Sequence, residues 1–126
     1  MGRKKILIVD DNKDLIRGLN VRLNAYGYEV VVAMDGYAAI NVARKEKPDL
    51  VILDIGLPAG DGFTVLQRMG QNPSLALAPV LVLTARDAKT NKERALKAGA
   101  TAFFQKPVDN EVLLAAIQNA VGKSDR

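Results

Sequence analysis

The sequence predicts an α/β domain, a single parallel sheet with helices packed on both faces. Three observations carry this. Five short runs rich in Val, Ile and Leu alternate with five longer segments whose apolar residues recur at helical spacing. Gly, Pro, Asn and Asp gather between them, where the chain must turn. The 126 residues, 48% of them apolar, suit one core and leave no room for a second.

Lys5–Val9 reads as the first buried strand. Leu15, Leu19, Leu23 and Tyr26 predict a helix from Asn12 to Tyr26, stopped by Gly27. Tyr28–Ala33 is the second strand, and Asp35-Gly36 turns into a helix that Pro48 ends near Lys47. Leu50–Leu53 is the third strand. The stretch from Asp54 to Gly62 is dense in turn formers. A helix from about Gly62 to Gln71 should bury Val65, Leu66 and Met69. Beyond Pro73 and Pro79 come a strand at Val80–Leu83 and a helix from about Ala88 to Ala98, stopped by Gly99. Thr101–Phe104 and a helix from Asn110 to Val121, striped by Leu113, Ile117 and Val121, complete the alternation. Gly122–Arg126 is polar, and reads as a free end or the start of a linker.

Composition excludes several kinds of chemistry. The chain has no cysteine and no histidine, so neither a thiolate metal site nor a histidine base or nucleophile is available within it. The absence of cysteine fits a reducing cytoplasm. The formal charge is +4, but the basic residues are scattered and aromatics make up only 5%. That pattern predicts a solvated basic surface rather than a nucleic-acid face. The run Ile6–Val9 is too short for a signal peptide, and Leu75–Leu83, interrupted by Pro79, is too short for a membrane span. A soluble protein without membrane contact is the expectation.

In an open parallel sheet, ligands gather beyond the carboxyl ends of the strands. Those ends carry Asp10-Asp11, Asp54 and Thr84, with Lys106 just after the last strand. Three carboxylates in one place repel, and Lys106 supplies only one countercharge. An all-oxygen cluster without histidine or cysteine suits a hard divalent cation such as Mg2+. A phosphoryl group could then approach, accept hydrogen bonds from Thr84 and Lys106, and leave one carboxylate as nucleophile. Taken singly, each residue has a duller reading: Asp10 or Asp11 as a helix cap, Asp54 as a turn residue, Thr84 and Lys106 as ordinary polar groups. Their joint placement at four strand ends favours a site.

The blocks Ile6-Leu7-Ile8-Val9-Asp10-Asp11, Asp54-Ile55-Gly56-Leu57-Pro58-Ala59-Gly60-Asp61-Gly62, Val82-Leu83-Thr84-Ala85 and Phe103-Phe104-Gln105-Lys106-Pro107 occur in this order. They resemble the receiver domains of two-component response regulators, and the resemblance runs from about Lys5 to Val121. It implies a flavodoxin-like (βα)5 doubly wound sheet in the order 2-1-3-4-5. It implies one receiver domain over residues 1–126, with a core at about 5–121. It implies that Asp54 takes a phosphoryl group from a histidine kinase or histidine phosphotransfer protein. Asp11, Asp54 and the Gly56 carbonyl would hold Mg2+, with Asp10 acting through water, and Lys106 would pair with the phosphoryl group. The Lys106–Pro107 bond is expected to be cis. Thr84 should move towards the phosphoryl group, and the Phe103 ring should then fill the vacated space. The signal would leave through the fourth helix, fifth strand and fifth helix, to a partner the sequence does not identify. Such a domain is no enzyme beyond its own phosphorylation and dephosphorylation.

Three departures qualify this expectation. Many relatives have tyrosine where Phe103 stands. Gly56 and Arg86, two residues beyond Asp54 and Thr84, bear on the lifetime of the phosphorylated state: Gly56 leaves access for water, whereas Arg86 is placed to shield or bind the phosphoryl group. The Asp-Asp pair and arginine of one salt-bridged dimer face are replaced by Thr101-Ala102 and Ala116. That loss argues against that dimer and leaves a monomer or another phosphorylation-dependent dimer.

Competing classes fit less well. A haloacid-dehalogenase-like phosphatase needs a second acid where Gly56 stands. An FMN carrier needs a phosphate loop where Asp10-Asp11 would repel the ligand. Gly122-Lys123-Ser124 imitates a P-loop end, but Ile117 replaces its first glycine. A receiver fragment of a longer transcriptional regulator or hybrid histidine kinase remains open beside a stand-alone receiver.

Overall fold

A computed structural model of the chain describes residues 3–57 and 62–122. Pro58 to Asp61 of the turn-rich loop, and Lys123 and Ser124 of the P-loop imitation, lie outside the described residues. The elements in chain order are β1 (Lys5–Val9), α1 (Lys13–Ala25), β2 (Glu29–Ala33), α2 (Gly36–Glu46), β3 (Leu50–Leu53), α3 (Gly62–Gln71), β4 (Val80–Thr84), α4 (Ala88–Lys97), β5 (Ala102–Gln105) and α5 (Asn110–Val121). The strands pair in parallel in the order β2-β1-β3-β4-β5. Among the described residues no helix is long and apolar enough to cross a membrane.

Alternation along the central strands splits the core in two. Ile6, Ile8, Leu50, Ile52, Leu81 and Leu83 pack on α1 and α5 through Leu19, Leu23, Leu113 and Ile117. Leu7, Val9, Val51, Leu53, Val80 and Val82 face α2, α3 and α4, whose contributions include Ile40, Met69 and Ala95. With both faces covered, β1, β3 and β4 are continuous apolar runs. Burial of each such side chain stabilises by about 1.5–3 kcal/mol, so the strands that carry the site are held by apolar packing on both faces.

The helix ends follow from local chemistry. Asn12 caps α1, its side chain accepting from the Asp14 and Leu15 amides, so neither Asp10 nor Asp11 is the cap. The expected helix over Asn12–Tyr26 therefore starts and stops one residue inside each bound. Helical spacing puts Tyr26 on one face with Leu15, Leu19 and Leu23, but it is the C-cap and half exposed. Its neighbour Gly27 takes φ 89°, and the Gly27 and Tyr28 amides bond back to Asn24 and Leu23. This reversal puts Tyr28 into the core instead, its hydroxyl donating to the Gly122 carbonyl at 2.9 Å. Gly99, at φ 115°, closes α4 in the same way, with the Gly99 and Ala100 amides bonded to Leu96 and Ala95. The last strand begins at Ala102 rather than Thr101, and β4 extends through Thr84, which pairs with Gln105.

Gly62 opens α3 against the residue that follows Asp54. A Cβ there would collide with the Ile55 Cα. Gly62→Ala should therefore destabilise the domain, on the order of 1–3 kcal/mol by overpacking, seen as a lower urea midpoint at unchanged slope.

Candidate functional site

The sheet fixes the backbone of the site. Val9 of β1 pairs with Leu53 of β3, so Asp10 and Asp54 leave adjacent strands at the same level. Ladder bonds continue one step further: the Asp10 amide donates to the Ala33 carbonyl, Asp54 to Val9, and Lys106 to Thr84. Asp10, Asp54 and Thr84 are buried, whereas Asp11 is exposed.

The side chains converge on Asp54. Its Oδ1 accepts from the Thr84 hydroxyl at 2.7 Å and from the Gly56 amide at 2.8 Å. Its Oδ2 accepts from the Lys106 ammonium at 3.3 Å, and the same ammonium bonds Asp10 Oδ2 at 2.9 Å. Asp10 Oδ1 accepts from the Asn12 amide at 2.9 Å. The Lys106–Pro107 peptide bond is cis.

Oxygens of Asp10, Asp11 and Asp54 lie within 4.8 Å of one another. At that separation and an effective dielectric of about 20, two buried carboxylates repel by roughly 3–4 kcal/mol. Lys106 neutralises one of the three charges and leaves a surplus of two, the charge of a divalent cation. The donor set is carboxylate oxygen throughout, and Asp11 accepts no hydrogen bond among the described residues, so the cluster fits a hard cation.

Burial lowers the Lys106 pKa, but the hydrogen bond and charge of Asp10, then the charge and hydrogen bond of Asp54, outweigh it. The ammonium is thus held above its ordinary 10.5.

The family resemblance expects Thr84 to turn and Phe103 to follow it inward. Here the Thr84 hydroxyl already rests on Asp54, and the Phe103 ring is already buried among the α2–α3–α4 side of the core. A physical reason is at hand: phenylalanine has no hydroxyl to draw the ring towards water. Two contributions at this edge had no sequence signal. The Arg86 amide donates to the Thr84 hydroxyl oxygen at 3.3 Å, and the Gln105 side-chain oxygen accepts from the Ala88 amide at the start of α4 at 3.0 Å. The first is a local bond of the kind Thr side chains make two residues on, whereas the second joins residues distant in the chain and cannot be read from residue type alone.

The model of the response regulator receiver domain matches residues 6–118. The chain belongs to this family. Two curated relatives place it further. This receiver domain is 37% identical to the response regulator PleD of Caulobacter vibrioides over 115 residues, 91% of the chain but only 25% of PleD. It is likewise 37% identical to protein PilH of Pseudomonas aeruginosa, over 93% of the chain and 96% of PilH. The fold matches the receiver domain of the sensor histidine kinase PA1611 from Pseudomonas aeruginosa at a TM-score of 0.86 and 27% identity, covering 98% of this chain and all of that one. That structure has a magnesium ion coordinated in its active-site cleft. The strand order predicted for a flavodoxin-like receiver is the one found.

The ion pairs of Lys106 should show in the pH dependence of stability. Because its folded pKa is raised, their contribution is complete below the ordinary 10.5 and is lost as pH rises through the folded value. Without divalent cations, Lys106→Met should cost on the order of 2–3 kcal/mol in urea unfolding near neutrality, and the gap should close only above that pH.

Proposed function

We propose that this receiver domain accepts a phosphoryl group on Asp54 from the phosphohistidine of a partner kinase or phosphotransfer protein. The observation that carries the reading is the setting of Asp54, a buried carboxylate facing a hydroxyl, an amide and an ammonium at the mouth of an acidic cluster. With no histidine in the chain, the donor is another molecule or another domain.

In the transfer, an Asp54 oxygen forms a bond to phosphorus while the N–P bond of the donor breaks. Its electron pair returns to the imidazole, which leaves neutral after taking up one proton. Thr84 and Lys106, already on the two Asp54 oxygens, would turn their donors to the phosphoryl oxygens as negative charge moves there. Asp11, Asp54 and the Gly56 carbonyl would hold Mg2+, with Asp10 acting through water, and the ion would supply the positive charge that lets a dianionic group enter an acidic site.

The change would spread through two hydrogen-bonded links at this edge of the sheet. The Thr84 hydroxyl links Asp54 to the Arg86 amide, and Gln105 links β5 to the start of α4. With Phe103 packed on this side, α4, β5 and α5 are the surface through which the domain biases a downstream partner. We read the chain as one receiver domain over residues 1–126, with its core at about 5–121. It acts in the cytoplasm as a monomer or phosphorylation-dependent dimer, without direct nucleic-acid contact. Its only chemistry is its own phosphorylation and dephosphorylation. A second reading, a receiver within a longer regulator or hybrid kinase, draws on the chain spanning a quarter of PleD.

Incubation with acetyl phosphate and Mg2+ should add the mass of one phosphoryl group to the chain. Asp54→Asn should abolish the addition with the fold intact by circular dichroism. Labelling that persists in that variant, or never occurs in the parent, would sink the assignment.

A further inference from the structure

We propose that Gln105 is a positioning residue that passes the state of Lys106 to the first turn of α4, because its side chain closes a ring of contacts that begins and ends at Asp54. The inference rests on Asp54 being the acceptor.

α4 buries less of itself than any other helix. Ala95 is its one buried residue, whereas each of the others buries at least two. Side chains from two neighbours hold it instead. In its second half, Arg94 stacks on the Phe63 ring of α3, the guanidinium carbon 3.7 Å from the ring centroid. At its start, the Gln105 side-chain oxygen accepts from the Ala88 amide at 3.0 Å. That amide is the first of the helix and has no acceptor within it. The N-cap Asp87 serves the next amide, that of Lys89, and leaves Ala88 to β5.

Both ends of this contact lead back to the same carboxylate. Along the chain, Ala88 is four residues beyond Thr84, whose hydroxyl donates to Asp54 at 2.7 Å. At the end of β5, Gln105 adjoins Lys106, whose ammonium bonds Asp54 at 3.3 Å. Thr84 and Gln105 are partners in register, and the Lys106 amide donates to the Thr84 carbonyl at 2.7 Å. Three side-chain contacts and two stretches of chain thus form a closed circuit. Gln105 is the link in it that does not touch the acceptor.

A phosphoryl group on Asp54 moves negative charge outward, and the Lys106 ammonium follows it. The Thr84 hydroxyl rests on Asp54 and the Phe103 ring is buried, so Lys106, shared between Asp10 and Asp54, is the group with partners to exchange. A strand end that shifts with Lys106 carries Gln105, and with it the Ala88 amide, while the Arg94 stack holds the far half of α4. The helix then turns about that stack. A Gln105 that merely capped the helix would steady its first turn to the same degree whatever stands on Asp54.

The test compares three full chains in Mg2+: the parent, Gln105→Leu, which removes the acceptor at similar size, and Gln105→Glu, which keeps one. Amide hydrogen exchange in the first turn of α4 is followed by NMR with and without beryllofluoride as the phosphoryl stand-in. Without it, Ala88 should exchange about fivefold faster in Gln105→Leu than in the parent, the equivalent of one neutral hydrogen bond. Beryllofluoride should change the Ala88 rate at least about threefold in the parent and in Gln105→Glu, and less than about 1.5-fold in Gln105→Leu. Acetyl phosphate should still add one phosphoryl mass to every variant. A beryllofluoride response in Gln105→Leu equal to the parent's, or a parent rate indifferent to bound beryllofluoride, would overturn the proposal. So would Leu and Glu acting alike. A parent that neither takes a phosphoryl group nor binds beryllofluoride would instead overturn the acceptor reading beneath it.

Discussion

The Lys106 ammonium, 2.9 Å from Asp10 and 3.3 Å from Asp54, ties the end of edge strand β5 to β1 and β3 across the whole width of β4. The contact makes the acidic cluster compatible with a folded domain, since two buried carboxylates at the ends of adjacent strands would otherwise face each other unscreened. It also limits the cluster. One cation for three acids leaves the site short of positive charge, and that shortage defines what it can bind. A site fully neutralised by its own side chains would have no use for a metal ion and would admit a dianion without one.

The fold was legible because its strongest signals are redundant. The central strands of a sheet covered on both faces are apolar where they are buried, and β1 after Lys5, all of β3 and β4 before Thr84 contain nothing else. Errors fell where two similar residues compete for one place. Tyr26 and Tyr28 flank Gly27, and helical periodicity favours Tyr26 for the core. The left-handed turn at Gly27 reverses the chain and hands that place to Tyr28. The site was legible in position and not in wiring. Strand ends can be read from sequence, so Asp10, Asp54, Thr84 and Lys106 could be placed on one edge. That Asn12 rather than an aspartate caps α1, or that Gln105 holds the start of α4, depends on rotamers and register.

Thr84 joins Asp54 to the loop before α4. Its hydroxyl donates to Asp54 and accepts from the Arg86 amide, so any displacement of that oxygen is felt in the loop leading to α4. Phe103 lies on β5 beside β4, paired in register with Val82, and is buried with the ring already inside. An aromatic without a hydroxyl gains nothing from exposure, so the inward state carries little cost in this chain.

Two glycines lie close to Asp54, and they serve opposite geometric needs. Gly62 permits contact: α3 begins so close to Ile55 that any side chain would strike its backbone, which seats the residue after Asp54 in the core. Gly56 permits absence: a Cβ there would press on Asp54 Oδ1 at 3.3 Å and crowd the Arg86 side chain at 3.6 Å. The chain must therefore be tight at Gly62 and empty at Gly56. A chain that closed tightly at both would bury Asp54 beyond the reach of any donor. One open at both would lose the packing that fixes Ile55, and with it the aim of the carboxylate.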